Sequence, residues 1–551
     1  MYIVIDLDTT KDMGIIKSDS LDNIREAFSE ADPKASLEKH LFKSRARFIP
    51  SRMYAISEAG RFNMGLLPDI IIYLKKLNTP FRIIFTEQFK ARYICVYPFA
   101  ELPLVKLSLD LYEFQSIGVK KALKNGCGLL VEPTGAGKTL MQATIIQTVR
   151  QNLSETKVLL ITPTHLINQI YNEFISYGIN SNDITKWSGE NNLNMASKII
   201  ICGPNILYDK IENVALEIKK IKVVYLTMKK MLETDHSITP TDRTGLQEKM
   251  IIANNDIEKL KIKLIENEKI HEFLGNIGLL IVDEIHQWKK SGEITNVLKH
   301  INTRNRFGFT GTLPEMKIDQ WNIIGNFGPI VHESKREDLV ADKHITDTDV
   351  RILVLEHKAP PDFHPPKQNY DDPSQEKIAA TEYYEKELDY IQHDAFRNNV
   401  IRKISEKTTK NTLILIDRLE HGKILNDYLQ STLTNKKVYY IIGEVEDEER
   451  QKIQDIMEKE NNIVCIAMSR IFSTGISIKN LHHIIFTTAG KAKIKTIQSV
   501  GRGVRKLEGK DSVTIWDICD NLYYSEKHLI QRTKIYDNDK ISYKITKIKE
   551  N

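Results

Sequence analysis

The chain has 551 residues, 41% hydrophobic and 27% charged, enough for three or four packed units at ~150 residues each and too apolar for a disordered tail. Its net charge of +5 neither demands nor excludes a polyanionic partner, so the placement of charge matters more than its sum. Five cysteines (Cys95, Cys127, Cys202, Cys465, Cys519) show neither CxxC nor Cys/His ligand spacing, which argues against a zinc module and for a reduced protein. The opening MYIVIDLDTT carries Asp6 and Asp8 where a secretory leader would be basic and then apolar, and no apolar run reaches the ~18 residues of a membrane helix. A soluble cytoplasmic protein is expected. Residues 1–100 mix the apolar runs MYIVIDL, FRIIF and YICVYPF with a helical pattern near 68–77, which predicts a small α+β domain. Between 34 and 61, seven basic residues (Lys34, Lys39, Lys43, Arg45, Arg47, Arg52, Arg61) face two acids and are interleaved with Phe42, Phe48 and Tyr54. Such a patch, with Arg45, Arg47 and Arg52 at its centre, contacts phosphates while rings stack on bases; the alternative is a solvated face over an aromatic core.

From about residue 101 the pattern changes. GLLVEP, KVLLITP, KIIICGP and GLLIVDE are continuous apolar runs alternating with amphipathic helices, which predicts a parallel sheet covered on both faces. EPTGAGKT, at 132–139, stands between the first run and the helical stretch LMQATIIQTVR. A glycine-rich turn there aims backbone N–H groups at one point, and the helix dipole adds positive potential. Thr134, Gly135 and Gly137 frame this phosphate loop, Lys138 would reach the β/γ-phosphates of ATP, and Thr139 would hold Mg²⁺. Glu132 departs from the pattern, since it puts a carboxylate where glycine is usual. GLLIVDEIH ends its strand in two carboxylates: Asp283 for Mg²⁺, Glu284 to orient and deprotonate water, with His286 placed to relay between lobes. Between these motifs, residues 209–274 are rich in Lys, Glu and Ile, and two helical stripes at 211–233 and 256–274 predict an antiparallel arm. The Pro-rich stretch 356–374 is the linker candidate. TLILID, VYYIIG, IVCIAM, HHIIFT and VTIWDI then form a second strand series, so two tandem α/β lobes are expected, 101–350 and 351–551.

These motifs resemble, in order, those of the superfamily-two helicases, with the DEIH string near the DEAH-type members. The resemblance implies two RecA-like lobes. It also implies that Gln115 reads adenine with Tyr112 or Phe114 beside it, and that Thr162 and Thr164 of TPTHLINQ contact the tracking strand. CGPNIL, at 202–207, is similar to motif Ib. Thr310 and Thr312 of GFTGTLP would couple hydrolysis to lobe movement. In the second lobe FSTGISIKNLHHI resembles motif V, implying Ser473 and Thr474 on nucleic acid and Gly475 near nucleotide. QSVGRGVR resembles motif VI, with Gln498, Arg502 and Arg505 facing the bound nucleotide, where the two guanidiniums would stabilise charge developing on the γ-phosphoryl oxygens.

VYYIIGEVEDEER, IFSTGISIKNLHHIIF, QSVGRGVRK and the N-terminal FKSRARFIPSRMYAISEAGRFNMGLLPDIIIYLKK are together similar to the UvsW-type phage recombination helicases. That family implies fork regression, Holliday-junction migration and R-loop unwinding, hence branched DNA and R-loop RNA as partners, beside recombination and replication proteins. It implies a monomer or weak oligomer, in the host cytoplasm if phage-encoded. A restriction or repair nuclease motor shares these motifs but would need a PD…ExK cluster, and none is convincing here. An RNA helicase, or a non-hydrolysing scaffold on a decayed motor, are the further alternatives.

Overall fold

The computed structural model describes residues 3–8, 13–33, 35, 51–85, 103–133, 135–188, 193–211, 214–234, 239–287, 297–298, 300–344, 347–358, 360–364, 373–441, 452, 455–469, 480–487, 512–538 and 541–550. Contacts divide it into two compact units: Met1–Glu132 with Thr139–Glu333, and Ser334–Asn551 with the stretch Pro133–Lys138.

The first unit opens with a four-stranded sheet in the order Arg61–Asn63, Met13–Lys17, Ile3–Asp8, Phe81–Phe85. Its core gathers Ile16, Phe28 and Phe62 with Ile70 and Leu74 of the helix Leu67–Lys76. Leu66 and Phe28 meet Trp321 and Ile324 of the helix Lys317–Phe327, with the Phe28 and Trp321 rings 5.4 Å apart. A Cβ at Gly65 would lie 1.9 Å from the Ile324 carbonyl oxygen, so glycine is what lets the two backbones touch. The small N-terminal domain is therefore cemented to this helix.

The rest of the first unit is a seven-stranded sheet in the order Ile330–Glu333, Gly128–Val131, Arg306–Thr310, Ile277–Val282, Lys157–Ile161, Ile199–Cys202, Ile184–Trp187, parallel at every pairing. The four apolar runs read in the sequence are four of its strands, and they are buried because helices cover both faces. The helix Lys138–Asn152 is buried on nearly all sides, which is why it lacks a polar stripe. A parallel sheet puts all strand ends of one polarity on one edge, so the loops after Val131, Ile161, Val282 and Thr310 share the carboxyl edge.

The expected arm is a helical hairpin, Val214–Thr234 against Pro240–Gly275, with Ile218 and Ile257 buried between them. At its base Ile270, Phe273 and Leu274 belong to the lobe core with Leu207, so the arm proper stops short of them. A deletion of 216–264 with a short linker is expected to leave basal ATPase unchanged; a steady-state assay showing its loss would give the arm a catalytic role.

The second unit is a seven-stranded parallel sheet in the order Val438–Ile441, Val464–Met468, Thr412–Ile416, His483–Phe486, Ser512–Asp520, Asp347–Glu356, Tyr543–Lys549. Two such sheets, each flanked by helices, are the tandem RecA-like lobes. One expectation is corrected. The Pro-rich stretch does not join the lobes, because Asp347–Glu356, which precedes it, is already an interior strand of the second sheet, and that unit starts at Ser334. A boundary at 350/351 would cut this strand. Among the described residues no helix is long and apolar enough to cross a membrane.

Candidate nucleotide site

The strand Gly128–Val131 runs into the phosphate loop, and the helix Lys138–Asn152 leaves it. Gly135 and Gly137 both have positive φ, +85° and +78°, a backbone that turns successive N–H groups toward one concavity and that side chains disfavour. The Glu132 carboxylate is engaged by a neighbouring strand. It is fully buried, and its Oε1 accepts from His332 Nδ1 at 2.6 Å, on the neighbouring strand. Its own N–H donates to the Thr310 carbonyl at 2.8 Å. The strands on either side thus hold Glu132 by one backbone and one side-chain bond.

Asp283 and Glu284 lie at the end of the strand Ile277–Val282, both buried. Gln142 Nε2 donates to Asp283 Oδ1 at 3.1 Å, which orients the carboxylate. Glu284 has φ +49°, one of four described non-glycine residues with positive φ. A left-handed backbone on such a residue costs on the order of 1–3 kcal/mol and persists only where surroundings impose it. Here the N–H of Asp283 is bonded to Ile161 at 2.8 Å, which fixes the turn that follows. His286 Nδ1 stands 2.9 Å from Thr310 Oγ1 and 3.3 Å from Glu284 Oε2. Thr310 spends its hydroxyl proton on the Thr312 carbonyl at 2.7 Å, so it accepts from His286, and the ring proton sits on Nδ1. Glu284, His286, Thr310 and Thr312 are thereby brought into one network.

Tyr112 caps the helix Glu113–Asn125, and its N–H donates to Gln115 Oε1 at 2.9 Å in a capping box. Gln115 is buried, while the Tyr112 and Phe114 rings stack at 6.1 Å with an interplanar angle of 14°. Thr164 is exposed; Gly203 of the CGPNIL segment packs on it so closely that a Cβ would come within 2.4 Å of Thr164 Oγ1. Thr162 is buried at the strand end, its N–H bonded to the Cys202 carbonyl at 3.0 Å. The Arg52 Nε lies 2.9 Å from Glu26 and 3.0 Å from Ser29 Oγ. Arg45, Arg47, Thr134, Ser473, Thr474, Gly475, Gln498, Arg502 and Arg505 lie outside the described residues.

Two residues escaped the sequence reading. Gln142 lies one helical turn after Lys138, so the spacing could have flagged it. His332 gave no local signal, being 200 positions from its partner. The donor set suits Mg²⁺: Asp283 and Thr139 offer two hard oxygens, and this ion takes few protein ligands beside phosphates and waters.

Residues 108–315 match the family model described as type III restriction enzyme, res subunit, and residues 395–506 match the helicase conserved C-terminal domain, together more than half of the chain. The chain is 27% identical over 456 residues to the ATP-dependent DNA helicase uvsW of enterobacteria phage T4, covering 79% of this chain and 76% of that protein. The crystal structure of T4 UvsW aligns over 100% of both chains at 20% identity and a TM-score of 0.40. The ATP-dependent type ISP restriction-modification enzyme LlaBIII bound to DNA aligns over 87% of this chain and 34% of its own, at 12% identity and a TM-score of 0.50, a likeness of fold. The chain belongs to the superfamily-two helicases of the UvsW type and is an ATP-dependent helicase.

Proposed function

We propose that the chain spends ATP hydrolysis on remodelling branched DNA: fork regression, four-way-junction migration and R-loop unwinding. The observation that carries the motor chemistry is the network Glu284–His286–Thr310 beside the buried Asp283, on the edge that also carries the phosphate loop. In this reading Lys138 and the N–H groups around Thr134, Gly135 and Gly137 bind the phosphates, and Tyr112 and Gln115 flank the base. Asp283 and Thr139 would hold Mg²⁺, which would supply charge neutralisation at the phosphate oxygens when bound. Glu284 takes the proton of the attacking water. Gln498, Arg502 and Arg505, with Gly475, would complete the site from the second lobe on closure, while Thr164, Ser473 and Thr474 hold the strand.

Support for DNA as the substrate comes from the T4 relative, whose name is that of a DNA helicase. The N-terminal domain, with Arg45 and Arg47 in its basic stretch, is proposed to grip duplex near the branch. Because it is packed on the helix that follows Thr310 and Thr312, it would move with the first lobe. The test compares ATPase stimulation and strand displacement on single strands, forks, four-way junctions, R-loops and duplex RNA. Forks and junctions are expected to stimulate most; stimulation by duplex RNA alone would sink the DNA reading. A nuclease motor is the second reading, favoured by the restriction-enzyme description of the first-lobe match. Magnesium-dependent cleavage of plasmid DNA would support it, and none is expected.

A further inference from the structure

We infer that the Glu132–His332 pair is a positioning device for the phosphate loop, and this rests on the nucleotide-site reading above. Glu132 is the last residue before the loop, and it is followed by Pro133, which has no N–H and a nearly fixed φ. Each neighbouring strand holds it by one bond. On one side the Thr310 carbonyl accepts its N–H at 2.8 Å. On the other, His332 Nδ1 donates to its Oε1 at 2.6 Å, from the edge strand Ile330–Glu333. That edge strand pairs with Gly128–Val131, His332 lying opposite Leu130, so the imidazole meets a carboxylate two residues further along the adjacent strand, at the loop entry.

The arrangement is deliberate in its fit. Gly118, on the helix Glu113–Asn125, lies under the imidazole, and a Cβ there would come 3.0 Å from His332 Nδ1 and 2.8 Å from Met141 Cε. Glu132 is fully buried and the His332 side chain is 9% exposed, so the bond is not exchanged cheaply for water. Thr310 is the common member: its carbonyl holds Glu132 and its hydroxyl holds His286, which faces Glu284. The continuous path His332–Glu132–Thr310–His286–Glu284 sets the loop that binds phosphates in register with the base that activates water. In this role His332 and Glu132 act by positioning the loop.

The test uses the full chain and measures ATP dependence of hydrolysis at saturating stimulating nucleic acid. Glu132→Ala and His332→Ala are each expected to raise KM for ATP about tenfold while kcat changes less than about threefold, the pattern of lost binding geometry. The double variant is expected to be no worse than either single one, because the two act as a unit. Glu132→Gln keeps an acceptor for the Nδ1–H and is expected to restore KM to within about threefold of wild type. Unchanged KM in both alanine variants, or costs that add in the double, would overturn the proposal. If the alanine variants fail to fold by circular dichroism, Gly118→Ala decides, since it pushes the imidazole without deleting either partner, and a wild-type KM there overturns it. Lys138→Ala run alongside separates the two levels: full hydrolysis in that variant would bring down the nucleotide-site reading itself, whatever the pair does.

Discussion

Glu284→Gln is expected to abolish most nucleic-acid-stimulated ATP hydrolysis, with a loss of about 10²–10⁴-fold in kcat, while fluorescent-nucleotide binding stays near wild type. An amide has nearly the shape of the carboxylate and leaves the positive-φ backbone undisturbed, but it cannot take a proton from water. The His286 Nδ1–H, now 3.3 Å from a carboxylate oxygen, keeps an acceptor in Thr310, so the network does not collapse. Fold loss is therefore a poor explanation for inactivity in this variant. Hydrolysis within threefold or so of wild type would remove Glu284 as the base. His286→Ala is the milder companion: it deletes the link from Glu284 to Thr310 and is expected to uncouple strand displacement from hydrolysis more than it slows hydrolysis. Equal losses of both activities would place His286 in the chemistry instead.

What the sequence made legible was local. The phosphate loop, the acidic strand end and the nine apolar runs each carry their signal within eight or so residues, because a buried parallel strand is apolar throughout. The strands it hid are those with mixed composition. Asp347–Glu356 interleaves Asp and Arg with Val and Ile, and Tyr543–Lys549 is an edge strand with lysine at every second or third place, which blunts pairing and reads as surface. The missed strand then let five prolines pass for a domain junction. In the site itself, Lys138, Asp283 and Glu284 were readable as residue types at a spacing, but Glu132 was not. Its meaning depends on His332, and only the register of two adjacent strands brings those together. For Thr162 and Arg52 the motif names a residue type, whereas the burial of the one and the Glu26 neighbour of the other are visible only in the fold.

The largest stability effect is expected in the second unit, from Asp520→Ala. Asp520 ends the strand Ser512–Asp520 and is fully buried. Arg397 Nε approaches its two oxygens at 3.0 and 3.2 Å, and His357 Nε2 lies 3.1 Å from one of them. Arg397 also donates to the Thr487 carbonyl, so this cluster ties the start of the helix Ala395–Lys407 to two strands. Deleting the carboxylate strands a buried guanidinium, a loss of about 3–5 kcal/mol and a large share of the stability typical of a domain. Burial alone would raise the Asp520 carboxyl, but Arg397 and His357 outweigh it and hold the group below its usual range. That contribution is present above the unfolded carboxylate value and is lost as pH falls through the folded one. For His357 burial pushes the imidazole down, and the Asp520 hydrogen bond and charge outweigh it, leaving it raised. Its contribution is complete below the unfolded histidine value and disappears as pH rises through the folded one. Wild type should therefore protect the amides of Ser512–Asp520 from hydrogen exchange better at about pH 6 than at about pH 9, after correction for intrinsic rates. Asp520→Ala should lower that protection at both and flatten the difference. A variant as protected as wild type, with the same pH profile, would mean the cluster adds no net stability. In that event a well-packed apolar replacement of Arg397, His357 and Asp520 together should be tolerated, as buried ion clusters of this kind can be.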